Sequence, residues 1–183
     1  GADRTRALDC MTAAVYYEAR SEPDIGQRAV AQVVLNRVAH PAYPNTVCGV
    51  VYQGSQRRTG CQFSFTCDGS LARRPQAMFW ERARQVALAA LGGYVHRPAG
   101  LATHYHTVQI YPYWAPSLNY LGTIGAHRFY RFKGPAGTPG AFSAGNDLQD
   151  FLQAASGGSL GAPVVRFLHA LARCETPLVA AVQ

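Results

Sequence analysis

The chain is poor in lysine and in acid. Of its 17 basic residues only Lys133 is lysine, and 10 acidic side chains leave a net charge of +7 over 183 residues. The charge suggests an anionic partner, whether nucleic acid, phospholipid or an acidic wall polymer, but no run of basic residues exceeds two and no recognised nucleic-acid motif is present. No apolar run reaches the length of a membrane-crossing helix. No leader pattern is read at the start, as in the mature form of an exported chain. No C-x-x-C pair and no H-E-x-x-H motif occurs, which removes the commonest zinc signatures. Shortage of acid has a chemical consequence: any reaction that needs carboxylates has few to choose from.

What remains is a folded chain, 48% hydrophobic and 15% charged, of a length that suits one domain with a real core. Five cysteines are many for this size, and an exported protein would pair four of them. Cys61 and Cys67 bracket the short loop GCQFSFTCDG and are the first choice for a bridge, with Cys10, Cys48 and Cys174 remaining. Buried free thiols in a cytosolic protein are the alternative.

Arg4 to Glu22 reads as an amphipathic helix. At 100° per residue Leu8, Met11, Ala14, Val15 and Ala19 share an arc, and Asp9, Tyr17 and Arg20 fall outside it. Glu18 lies near the middle of that arc. A carboxylate on an apolar face loses hydration, its pKa rises, and it holds a proton near neutral pH, as a general acid must. A buried Glu paired with an Arg is the purely structural reading of the same pattern.

Pro23 interrupts this helix, and Asp24 starts a second with Gln27 as capping-box partner. Ala29, Val30, Val33, Val34 and Val38 make it a core helix, and polar Asn36 and Arg37 are expected to hold the turn at His40 to Pro44. His40 to Gly69 reads as irregular loop. Pro75 opens a third helix that Gly92-Gly93 ends, with Phe79, Ala83, Val86, Ala87 and Ala90 inward. Leu101 to Val108 alternates as a strand, with His104 and His106 on one side and Tyr105 on the other, and Thr123 to Phe132 reads as one further strand. Residues 134–183 read as a Gly/Pro-rich linker followed by short helices, Asp147 to Ala155 and Pro163 to Cys174, appended to a catalytic domain over residues 1–133.

The blocks YYEARSEPDIGQRAVAQVVLNRVAHPAYPNTVCGVVYQG, GCQFSFTCDG, ATHYH, PYWAPS and IGAHRFYR together resemble the bacterial cell wall hydrolase family, which includes the SleB-like spore cortex-lytic transglycosylases. The resemblance implies an α+β, mainly helical, lysozyme-like fold: a helical core with a small antiparallel sheet beside the cleft. It also implies cleavage of peptidoglycan glycan strands, without a cofactor, in the periplasm or cell envelope. The family's essential acid is the first Glu of an E-A-R-G-E block, which falls on Glu18; Ser21 stands here where the block has Gly, a change expected to alter the turn rather than the chemistry. One acid suits a mechanism in which the sugar's own 6-hydroxyl is the nucleophile. Glu22, one turn on, and Asp68 are the candidate second carboxylates, and Glu22 is equally a capping or Arg-paired group. Gln62, Ser64, His104, Tyr105, His106 and His127 are expected to donate to or accept from sugar, and Trp114 with Tyr113 to stack on its faces. Two rivals stay open: a non-catalytic glycan-binding module, and a zinc-dependent amidase built on His104, His106 and His127.

Overall fold

Ala and Val are the commonest residues of the helical segments, so helices can approach closely and pack with little side-chain entropy to lose. The computed structural model describes residues 2–137. In chain order these residues form α1 (Ala2–Ala19), α2 (Asp24–Ala39), a one-turn α3 (Val47–Val51), α4 (Ala77–Leu91), β1 (His104–Thr107), β2 (Asn119–Ile124) and β3 (His127–Arg131). The architecture is α+β and mainly helical, with four helices and a three-stranded antiparallel sheet ordered β1-β3-β2. The linker and helices expected beyond residue 137, and Cys174, lie outside the described residues.

Met11, Val15, Val34, Val50, Val51, Phe65 and Val86 form the main core between the four helices. The second half of α1 is buried nearly all round, from Met11 to Tyr16, and so is not amphipathic there. Tyr17, expected off the apolar arc, stacks on Phe65 at 4.6 Å between ring centroids. The helix ends at Ala19 rather than Glu22. No non-glycine among the described residues has positive φ, so the turn through Ser21 does not require glycine there. Two disulfides are present. Cys10–Cys48, spanning 38 residues, ties α1 to α3, and its loop-closure entropy corresponds to about 4 kcal/mol on a chain-entropy estimate. Cys61–Cys67 spans 6 residues and fixes a local loop.

Three expectations are corrected. Within His40 to Gly69, residues Val47–Val51 are helical, because Thr46 caps them by accepting from the Gly49 N–H at 3.0 Å. Asp24 and Gln27 form no capping box: Pro23 is the N-cap, Asp24 pairs with Arg28, and buried Gln27 donates to the Ala19 carbonyl at 3.1 Å. Thr123 to Phe132 is not one strand. It turns at Gly125-Ala126, with Gly125 at φ +57°, and contributes to both β2 and β3.

The sheet lies against α2 through a small apolar patch of Phe129, Ala99 and Ala102 on Ala29 and Val33. Registered pairs Tyr105–Phe129 and Thr107–His127 share one face, and His104–Tyr130 shares the other.

Candidate active site

The last turn of α1 carries Glu18 to the seam between helices and sheet. There Tyr105 of β1 donates its hydroxyl to the Glu18 carboxylate at 2.7 Å. Half-burial pushes the Glu18 pKa up, and the Tyr105 hydrogen bond and the Arg37 charge oppose that rise without cancelling it. The carboxyl therefore keeps its proton to a higher pH than an exposed Glu would. Burial, with the adjacent Glu18 charge, raises the Tyr105 phenol well above its ordinary range, so it remains a donor.

Arg37 of α2 is 4% exposed, an unusual place for a guanidinium. Its Nε donates to the Thr103 carbonyl at 2.7 Å, and it packs between the rings of Tyr43 and Phe63, 5.4 and 5.2 Å from their centroids. With its amide oxygen facing Arg37, Gln62 accepts from both terminal guanidinium nitrogens at 3.0 and 3.3 Å. The turn at His40 to Pro44, expected to be held by Asn36 and Arg37, is not their target: Asn36 donates to the Gly100 and Ala102 carbonyls, and both residues hold the chain entering β1.

These groups open on a cleft of about 320 Å³. Glu18, Arg37 and Tyr105 line it, together with the Cys61–Ser64 loop and with His104 and Trp114. The Cys61–Cys67 bridge thus fixes the loop that presents Gln62 and Ser64. His104 bonds to Thr103 Oγ1 through Nδ1 at 2.9 Å, and its ring packs on Phe132 and Trp114. Burial first, then the Arg37 and His40 charges, lower its pKa to about 4, so at neutral pH it is uncharged.

A model of the cell wall hydrolase family matches residues 21–130. The chain belongs to that family. The match begins three residues after Glu18, so the acid's place rests on the geometry above. Among solved structures, the catalytic domain of the Bacillus cereus SleB protein is 33% identical with a TM-score of 0.57, covering 69% of this chain and 91% of that one. The catalytic domain of the germination-specific lytic transglycosylase SleB from Bacillus anthracis is 34% identical with a TM-score of 0.56, over 68% and 93%. The chain shares the fold of those catalytic domains. A spore cortex-lytic enzyme of Halalkalibacterium halodurans is 40% identical over 98 residues, which is 54% of this chain and 26% of that protein. The Bacillus subtilis spore cortex-lytic enzyme is 40% identical over 81 residues, 44% of this chain and 23% of that protein. The chain thus matches only a quarter or so of those relatives' length.

Within this family member, not every candidate side chain reaches the cleft. His106 sits behind it: Nε2 bonds to the Tyr130 hydroxyl at 2.9 Å, Nδ1 to the Thr107 carbonyl at 2.8 Å, and the ring supports Trp114. His127 is buried on the helix-facing side, its ring edge-on to Tyr105 at 5.1 Å. His104 and His106 both flank Trp114, but His127 lies across the sheet from them, so the three do not converge. No group of three His, Cys, Asp or Glu among the described residues could hold a metal. Glu22 accepts from the Ala126 N–H at 3.0 Å and clamps the β2–β3 turn, and it does not line the cleft. Asp68 is exposed, accepting from the Ser70 N–H at 2.8 Å. Tyr113 is 95% exposed on the loop before Trp114, outside the cleft lining.

Sequence reading missed Arg37 and Tyr43 as part of this site. The signal available was an Arg within the apolar run VVLNRV, since a guanidinium enters a core only with partners to receive it.

Proposed function

We propose that this domain cleaves the glycan strands of peptidoglycan at the β-1,4 bond between N-acetylmuramic acid and N-acetylglucosamine, with Glu18 as acid and then base. One observation carries the reading: a half-buried carboxyl with a raised pKa, held by a half-buried phenol, faces a cleft of sugar size. Family membership and the likeness to a lytic transglycosylase domain support it. The division of labour is lysozyme-like: a helix brings the acid, and a sheet and a loop enclose the sugar.

Protonated Glu18 gives its proton to the glycosidic oxygen as the C1–O bond breaks, and the departing sugar leaves as an alcohol. Positive charge then spreads over C1 and the ring oxygen of the muramic residue. The Glu18 carboxylate, stabilised by the Tyr105 hydroxyl and by Arg37, takes the proton of that sugar's 6-hydroxyl, whose oxygen closes on C1. The product carries a 1,6-anhydro end, Glu18 is reprotonated, and no water is consumed. Glu22 is spoken for by the Ala126 N–H and Asp68 lies in solvent, which favours a single-carboxylate route over a paired one. Gln62, Ser64, His104 and Trp114 are the proposed sugar contacts from the cleft lining; His106 and His127 position Trp114 and Tyr105. Two disulfides support a place outside the cytoplasm, in the periplasm or envelope, and a net charge of +7 suits an anionic wall.

Turbidity of purified sacculi tests the proposal. Wild type clears them, and Glu18→Gln, folded by circular dichroism, slows clearing by about a hundredfold or more. Clearing by Glu18→Gln at the wild-type rate overturns the assignment. Mass spectrometry of the soluble fragments shows anhydro ends for the mechanism above and reducing ends for hydrolysis.

A further inference from the structure

A second depression, of about 300 Å³, opens beside the cleft. Arg20, Arg73 and Arg74 line it with Tyr16, Tyr17 and Ser70. Its position is set by two links. Tyr17 immediately precedes Glu18 in α1, and its ring stacks on Phe65, the neighbour of Ser64 in the cleft wall. The depression is thus a separate hollow, sharing no lining residue with the cleft and set apart from it by the Tyr17–Phe65 stack.

The charges around it are only partly compensated. Ion pairs among the described residues are Arg6–Asp3, Arg28–Asp24 and Arg84–Glu81, and none involves these three arginines. Among the described residues Arg20 hydrogen-bonds only to the Tyr16 hydroxyl at 3.5 Å and lies over that ring's face, and the Arg73 guanidinium hydrogen-bonds only to Ser70 Oγ at 3.5 Å. The Tyr16 hydroxyl is pinned by the Gln76 N–H at 3.0 Å, which holds the Arg-bearing segment against α1. Asp68 is the nearby acid: it accepts from the Ser70 N–H, and its charge acts on Arg73, one acid against three arginines. Three exposed guanidinium groups around one hollow repel each other unless an anion joins them, and guanidinium binds carboxylate in a forked, two-bond geometry.

The substrate class proposed above supplies such an anion. In peptidoglycan the muramic sugar carries a lactyl-linked peptide with free carboxylates, and that sugar flanks the bond placed at Glu18. We propose that Arg20, Arg73 and Arg74 form a subsite for a carboxylate of this stem peptide, so that the domain favours peptide-bearing over bare glycan. The inference rests on the glycan-cleaving reading.

Binding is measured first, because it does not depend on cleavage. Glu18→Gln protein is titrated calorimetrically with a disaccharide–tetrapeptide and with the same disaccharide lacking the peptide. The peptide-bearing ligand binds about tenfold tighter, the scale of one charge-assisted contact pair. Adding Arg73→Gln and Arg74→Gln removes that advantage and leaves bare-disaccharide affinity in place. Otherwise wild-type protein with only the two Arg changes slows on sacculi but not on glycan stripped of peptide by an amidase. Equal affinities for the two ligands, or equal losses on both substrates, overturn the subsite. Sacculi freed of phosphodiester polymers provide a further arm: if the Arg dependence disappears there, the anion is a phosphate and the proposal is wrong. If wild type cleaves no glycan yet the peptide advantage in binding persists, the cleavage reading fails and the subsite stands.

Discussion

The helical half and the sheet half of this domain are built by different forces. The helices meet through Met11, Val15, Val34, Val50 and Val86, a contact that tolerates small shifts because apolar burial has no direction. The sheet has short strands and a five-residue apolar patch on α2. Directional bonds from the helices do the rest: Asn36 and Arg37 hold the carbonyls before β1, Glu22 holds the β2–β3 turn, and Gln32 accepts from the His96 N–H at 2.8 Å. Directional bonds fix position to tenths of an ångström, which is what a Glu18–Tyr105 pair spanning the two halves demands. Polar fastening at the seam is thus the counterpart of the polar site it carries.

The strongest way to break this comparison is Arg37→Leu. Removing the guanidinium leaves the Thr103 carbonyl and Gln62 without their donor and costs about 3 kcal/mol in urea unfolding, with activity lost beyond what unfolding explains. Val86→Ala, in the helical core, costs about 2 kcal/mol yet leaves activity per folded molecule unchanged. Equal activity loss in both variants would erase the distinction.

Gly125→Ala attacks the clamp on the turn. A Cβ there meets the Glu22 carboxylate, and the backbone sits at φ +57°, so the change costs about 2 kcal/mol. Thermal melting reads it, and an unchanged midpoint shows that the turn is not held through Glu22.

Tyr105→Phe sharpens the seam itself. Losing the donor lowers the rate about tenfold. It also removes an interaction that lowers the Glu18 pKa, so the alkaline limb of the pH–rate profile, where the acid loses its proton, moves to higher pH. A limb that moves down or stays would detach Tyr105 from the titrating group.

The smallest effect concerns His104. Its pKa falls from 6.5 to about 4 on folding, so the neutral ring stabilises the fold above pH 6.5, and that contribution is lost as pH drops through about 4. His104→Gln cannot be charged and shows a shallower loss of stability between pH 7 and 4. Denaturation midpoints across that range measure it, and an unaltered slope would place the His104 ring in water.

Much of the helical half was legible because periodicity is local. Val33, Val86 and Ala87 announce their helices, and Gly92-Gly93 stops α4 where expected. The sheet half was harder to read. Alternation ran unbroken through Gly125-Ala126 because each strand is too short to show its own beginning, and a hairpin looked like one strand. Asn36 and Arg37 were visible as polar residues in apolar company, but a side chain's type does not say which carbonyl will receive it. In the site, His104 and Tyr105 reached the cleft from opposite faces of β1 while His106 and His127, further along the hairpin, turned to supporting roles; strand alternation gives the face, but which position on it meets the cleft is set by how the sheet docks.

By itself the sequence determined that Glu18 would sit on the first helix among apolar neighbours, since helical spacing follows from backbone geometry alone. It also determined that a short cysteine-bracketed loop would close on itself, since that loop needs no distant partner. Only tertiary structure decided that the phenol of Tyr105, 87 residues further along, would meet that carboxylate. It likewise decided that an arginine would be buried beneath the cleft and that three others would gather beside it. Encounters at such separations come from how helices and sheet dock, and no local spacing encodes them.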